Sequence, residues 1–134
     1  MNKETIIDND FAFLWYYPEQ KIIHHEIKKF VFGKNLHDLL DKGYEIMKQN
    51  NAQKWLSDDR KNGALSKEDG EWAQNDWSPR VISIGWKYWA IVMPKQVIAQ
   101  MNMKVFIANY SKVGVTVQIF SEPDEALNWL INPK

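Results

Sequence analysis

The chain contains no cysteine in its 134 residues, which excludes a disulfide framework and thiol catalysis while leaving cytoplasm and periplasm equally open. It has no excess of either charge, since 17 basic and 17 acidic residues cancel to zero, and there is no long basic block. Nucleic-acid binding by phosphate neutralisation needs clustered Lys and Arg, so that class is disfavoured. Long apolar runs are also missing: the longest, Phe11 to Tyr17, is far short of the roughly 20 residues of a spanning helix. The opening MNKETIIDND lacks the apolar core of a secretory signal. A soluble cytoplasmic protein without stable membrane insertion is expected. A glycine-rich phosphate loop, a serine nucleophile elbow and a histidine beside a plausible nucleophile are all lacking. Neither an enzyme nor a cofactor is therefore expected.

Aromatic residues are abundant: 7 Trp, 6 Phe and 5 Tyr. A chain of this length can bury a real core, and residues 1–134 read as a single domain. After a polar start, FAFLWYY (Phe11 to Tyr17) has the aromatic density of a strand and is apolar on both faces. Pro18 to Gln20 turn the chain, and Lys21 to Ile27 return as the second arm of a hairpin. Asn35 with Asp38 offers a helix cap, and Leu36, Leu39, Leu40, Gly43, Tyr44 and Met47 recur at helical spacing to about Asn50. Lys54 to Asp58 is a short strand, and a helix opening at Ser66 carries Trp72 and Trp77 and is broken or restarted at Pro79. Val81 to Gly85 is assigned as helix. YWAIVM (Tyr88 to Met93) is an unbroken apolar run closed by Pro94, as in a central strand. From Gln96 to about Tyr110, Val97, Ile98, Met101, Val105 and Ala108 keep helical spacing, with Gly114 as a stop beyond; Val115 to Phe120 alternate as a half-exposed strand, and Ser121 to Asp124 suggest a cap for the last helix, which ends before Pro133. The order is β-β-α-β-α-β-α-β-α. Strands alternating with single helices imply parallel neighbours, with the hairpin as an antiparallel edge.

The stretch KWLSDDRKNGALSKEDGEW, Lys54 to Trp72, is the candidate working region. A buried strand ends in the polar series Ser57, Asp58, Asp59, Arg60, Lys61, Asn62, Gly63, which favours an exposed loop. Ser66 with Asp69 three residues on matches an N-cap pattern, the acid facing the helix's positive end. Asp58 and Asp59 fall where a parallel strand ends, a common ligand position in α/β sheets. Two acids there could bind magnesium or do acid–base work and Arg60 could orient an anion. The alternative is a solvated charge cluster pairing with Lys61 or Lys67. His24, His25 and Glu26, with His37, invite a metal reading, but strand alternation puts His24 and Glu26 on one face and His25 on the other, and zinc needs three or four ligands. No metal site is expected. Trp55, Trp72 and Trp77 could wall an apolar pocket or simply fill the core. FAFLWYY could join two subunits as a homodimer.

VTVQIFSEPDEALNWL, a β-branched strand ending at Phe120 followed by an acidic helix start with Ala126, Trp129 and Leu130, resembles the closing strand and helix of SpoIIAA-like, or STAS-like, domains, and the order of elements is similar over most of the chain. The resemblance implies an α/β fold, a SpoIIAA-like mixed β-sheet with helices packed against it, without an established enzymatic activity. Bacterial anti-sigma-factor antagonists of this type are switched by phosphorylation of a serine at a helix start, which corresponds by position to Ser66 and less well to Ser57. The switch families carry an Asp-Ser-Gly-like turn that is absent here, so the phosphorylation is not carried over, and the SDDR loop, Asp69 and Trp72 look more like an uncharacterised bacterial branch. The leading expectation is a regulatory domain that binds a protein partner through Ser57, Asp58, Asp59, Arg60, Ser66, Asp69 and Trp72. The rival is a carrier or sensor of a small apolar, lipid-like ligand held between helices and sheet. A third reading, a hydrolase using Asp58 and Asp59, would need a metal.

Overall fold

The computed structural model describes residues 1–63 and 65–133. Six strands form one sheet in sequential order: β1 (Glu4–Asp8), β2 (Ala12–Tyr17), β3 (Ile22–Ile27), β4 (Lys54–Asp58), β5 (Tyr88–Val92) and β6 (Thr116–Phe120). The first three are antiparallel neighbours and the last four parallel. The polar start therefore supplies a strand that the sequence pattern did not suggest. ETIID is an edge strand, mostly exposed and bulged between Thr5 and Ile7, so it lacks the apolar alternation that marks a strand with a buried face.

Helix α1 (Gly33–Asn50) links β3 to β4; α2 (Lys67–Trp72), a π-helical turn (Ala73–Trp77) and α3 (Ser78–Ser83) link β4 to β5; α4 (Lys95–Gln100) and α5 (Met103–Ser111) link β5 to β6; α6 (Pro123–Ile131) closes the chain. Each crossover steps the same way along the sheet, so right-handed connections put all three on one face. On that face Trp55, Ile23, Val117, Leu36, Leu39, Val81 and Trp77 share one buried cluster. The terminal helix makes no crossover and is free to cover the other face, where Ala126 and Leu130 pack on Tyr17, Ile22, Leu56, Ala90 and Val92. The unbroken run of β5 is thus explained by cover on both sides.

Three helix starts differ from the expected caps and phasing. Helix α1 begins two residues before Asn35, with Phe32 at its N-cap position and no side-chain cap. Helix α6 has Glu122, not Ser121, at its N-cap, again without a side-chain bond. The helix from Ser66 is not broken by Pro79 but restarts beside it, at Ser78. The Ser78 amide donates to the Ala73 carbonyl five residues back, and the wider turn re-phases the helix so that Pro79 falls in the first turn of α3, where its missing N–H removes no bond. Conversely, the single helix expected from Gln96 to about Tyr110 is two. Met101 is extended, and Asn102 Oδ1 accepts from the Val105 amide at 3.4 Å to start α5, a local bond that competes with continuing the helix.

Candidate functional site

Between the α2–α3 segment, the α4–α5 pair and the sheet lies a cleft of about 1100 Å³. Its walls are apolar: Leu36, Leu40, Trp77 and Ile82 on one side, Met93, Val97, Met101, Phe106, Tyr110 and Val113 on the other, with Trp89 and Ile91 below. Three large apolar side chains that stand out into solvent, Leu65, Val97 and Val113, are among its lining residues. Ligand pockets of drug-sized molecules run to about 300–1000 Å³ and are mostly apolar with a few convergent polar groups, and this cleft has that character.

The polar groups come from the carboxyl ends of β3 and β4. Strand alternation sends His25 and Ser57 to the cleft face. The ladder runs one residue past β4, the Asp59 amide donating to the Val92 carbonyl at 3.0 Å, so Asp59 follows Ser57 onto the same face. The Trp55 indole N–H donates to His25 Nδ1 at 3.0 Å, which makes Nδ1 the acceptor and puts the ring proton on Nε2. From there it donates to Asp59 Oδ1 at 2.8 Å. The Trp89 indole N–H donates to Ser57 Oγ at 2.8 Å. Asp59 is half-buried, and among the described residues its second oxygen, Oδ2, accepts no protein hydrogen bond.

Alternation sends Asp58 the other way. It is buried, not part of an exposed loop, and holds Arg60 in a two-pronged pair, Nε to Oδ1 at 2.9 Å and Nη2 to Oδ2 at 2.7 Å. That hydrogen bond pushes the Arg60 guanidinium's pKa up from its already high value. Asn62 is buried as well, its side chain accepting from the Val31 amide at 3.1 Å. Of the expected charged turn, Arg60, Lys61 and Gly63 are exposed. The two acids that looked equivalent in sequence therefore do different work on opposite faces.

Ser57, Asp59 and Arg60 line the cleft; Asp58, Ser66, Asp69 and Trp72 do not. Ser66 caps α2, accepting from the Asp69 amide at 3.1 Å. Asp69 is buried and reaches back to the start of α1, accepting from the Gly33 amide at 3.0 Å and pairing with His37 Nε2 at 3.0 Å. It supplies the N-terminal negative charge that α1 lacks in its own first turn. The Gly33 amide, with His37 and Ser66, holds its carboxyl below the usual carboxylate range, against the opposing effect of burial. Trp72 stacks on His37 with ring centroids 3.8 Å apart, so these residues fasten the cleft-bearing α2 to α1. The three histidines are in separate places. His24, on the face away from the cleft, bonds Tyr17 at 2.9 Å, and its Nε2 is buried without a partner among the described residues. Burial, reinforced by His25, pushes its pKa down to about 3, and burial pushes Tyr17 up to about 12. Among the described residues no three His, Asp or Glu side chains converge as metal ligands.

The sequence reading missed His25 as part of this group, and it missed the α4–α5 wall altogether. The alternation that set His25 against His24 and Glu26 also put it on the same face as Ser57, which was the available signal. Of FAFLWYY, Ala12, Leu14 and Tyr16 are buried toward α1, whereas Phe13 and Trp15 stack at 4.6 Å on the opposite face, with Lys28 and Lys3 over their rings.

No protein-family model matches the chain, and no curated protein matches it. Among the described residues, no helix is long and apolar enough to cross a membrane. Among solved structures the chain is similar to an uncharacterized protein of the DUF3478 family from Shewanella loihica PV-4, at 15% identity and a TM-score of 0.55, over 96% of this chain and 92% of that one. That protein is described as SpoIIAA-like in fold, and a mixed six-stranded sheet with helices on both faces gives this chain the SpoIIAA-like fold as well.

Proposed function

We propose that the chain is a non-enzymatic binding domain that holds a small, largely apolar molecule in the cleft between the α2–α3 and α4–α5 walls. The observation that carries this reading is the cleft itself: about 1100 Å³, walled by aliphatic and aromatic side chains, with its few polar groups gathered at the strand ends. Exposed apolar surface of this kind is costly unless it meets something. A binding role is supported over catalysis by His25, whose two ring nitrogens are engaged by Trp55 and Asp59, so neither is open to take a substrate's proton. The test uses the neutral fluorophore N-phenyl-1-naphthylamine together with native mass spectrometry of gently purified protein. The fluorophore should brighten with the wild-type chain and not with Val97→Trp or Ala73→Trp, which fill the cleft from either wall. An unresponsive wild type whose native mass equals the bare chain overturns the reading.

A second reading, contact with a protein partner through the loop after β4, is favoured by Arg60, Lys61 and Leu65, which stand exposed beside the same opening. Alanine at Asp59 and Arg60 would then abolish capture of the partner while the fold persists; capture that is unchanged removes this reading.

A further inference from the structure

Resting on the cleft reading above, we infer that the ligand is an organic cation, an amine or quaternary ammonium attached to an apolar body, with its positive charge seated between the Asp59 carboxylate and the aromatic wall. Two independent features carry this. The first is charge. Asp59 and Arg60 are the formally charged residues lining the cleft, and Arg60 is committed to Asp58 through two hydrogen bonds of 2.9 and 2.7 Å. His25 is a donor to Asp59 through Nε2 and cannot also carry a proton on Nδ1 while Trp55 donates there. The cleft therefore presents a negative charge, with Asp59 Oδ2 accepting nothing from the protein among the described residues. A carboxylate or phosphate head would meet that charge unpaired in an apolar setting, where repulsion is least screened.

The second feature is the aromatic wall. Trp89 lies 4.9 Å from Tyr110 and 5.9 Å from Phe106, and Phe106 lies 5.2 Å from Tyr110, ring centroid to ring centroid. All three line the cleft, together with Trp77. Ring faces attract cations, more strongly where water is displaced, and grouped rings of this kind recognise ammonium ligands. The two features are joined through Ser57, two residues before Asp59 on the same strand face, which accepts the Trp89 indole N–H at 2.8 Å. A neutral apolar ligand explains the walls but leaves the open carboxylate oxygen unused; an anionic one is opposed by it. A cation satisfies both.

The experiment is displacement of N-phenyl-1-naphthylamine by four probes of one chain length, each below its micelle concentration: dodecylamine, dodecyltrimethylammonium, dodecanol and dodecanoate. The two cations are expected to bind at least tenfold more tightly than dodecanol, with dodecanoate weakest. Asp59→Asn, which keeps the shape and an oxygen for His25, should reduce the advantage of the cations over dodecanol about tenfold. Should that variant fold poorly, raising the salt concentration on the wild type is the parallel test, since added salt should weaken the cations and not the alcohol. Dodecanoate binding as well as the amines, or dodecanol matching them, overturns the cation inference while leaving the cleft reading intact. Failure of all four, with no fluorophore response, overturns both.

Discussion

At the scale of single residues, the sheet separates groups that are adjacent in sequence. His24 and His25 point to opposite faces, and of the two it is His24 whose ring keeps a buried nitrogen without a partner among the described residues. Its pKa, lowered to about 3 by burial first and by His25 next, lies below the ordinary value of 6.5. The unfolded chain therefore binds more protons than the native one between those values. Stability from this group is full above about pH 6.5, falls as pH drops toward 3, and is level below, for a total on the order of a few kcal/mol. Replacing both members of the buried bond, Tyr17→Phe with His24→Phe, removes two polar groups of similar shape together. Such a swap is close to neutral, so the double variant should match the wild type at pH 7 in urea titrations and lose the decline between pH 6.5 and 3. A slope that is kept would assign the acid sensitivity to other groups. Asp69→Asn is expected to act differently. It leaves the Gly33 amide and His37 competing for one oxygen, at a cost of about 1–3 kcal/mol. That loss should be read at neutral pH as a lower urea midpoint with an unchanged slope.

At the scale of elements, α1 lies on the sheet through Gly43, a position that sequence periodicity counted as one more member of the buried stripe. A Cβ added there would come within 2.1 Å of Trp55 Cη2. Trp55 is fully buried and meets Trp77 edge to face at 5.1 Å, so the ring has no room to yield. Gly43→Ala should improve helix propensity by roughly 1 kcal/mol and yet destabilise the protein, because overpacking a rigid core costs typically 1–3 kcal/mol or more. A melting temperature at or above wild type would show that α1 can slide. The same element shows what a sequence can and cannot reveal. Strands β4 and β5 were legible because Trp55, Leu56 and the YWAIVM run have no polar break, β6 because its residues alternate, and the α2 start because Ser66 and Asp69 form a local pattern. The start of helix α1 gave a misleading one, Asn35 with Asp38, because the acid that faces its N-terminus, Asp69, comes from 36 residues further on. Strand β1 was hidden by its exposure. The α4–α5 wall was hidden for another reason: Val97, Ile98, Met101, Val105 and Ala108 have the spacing of one core stripe on a single helix, whereas the break at Met101 re-phases the chain and brings Phe106 and Tyr110 to the cleft instead.

At the scale of the whole molecule, the two faces of the sheet are covered unequally. One receives α6, whose Ala126 and Leu130 are fully buried. The other carries three crossovers, and the last of them, α4 and α5, has no fully buried side chain at all. Segments with few buried contacts open locally at low free-energy cost, so α4–α5 is the natural moving wall of the cleft. A ligand that binds the folded chain alone adds stability as RT ln(1 + [L]/Kd), about 2.7 kcal/mol at a hundredfold excess over Kd. Contacts to Val97, Met101, Phe106 and Tyr110 would direct much of that gain into α4–α5. Amide hydrogen exchange with and without saturating dodecylamine should therefore show fast exchange in residues 95–111 of the free protein and marked slowing there on binding, with β4, β5 and α6 little changed. Protection spread evenly over the sheet would instead mean that the walls are already fixed and that the probe stabilises the fold only as a whole.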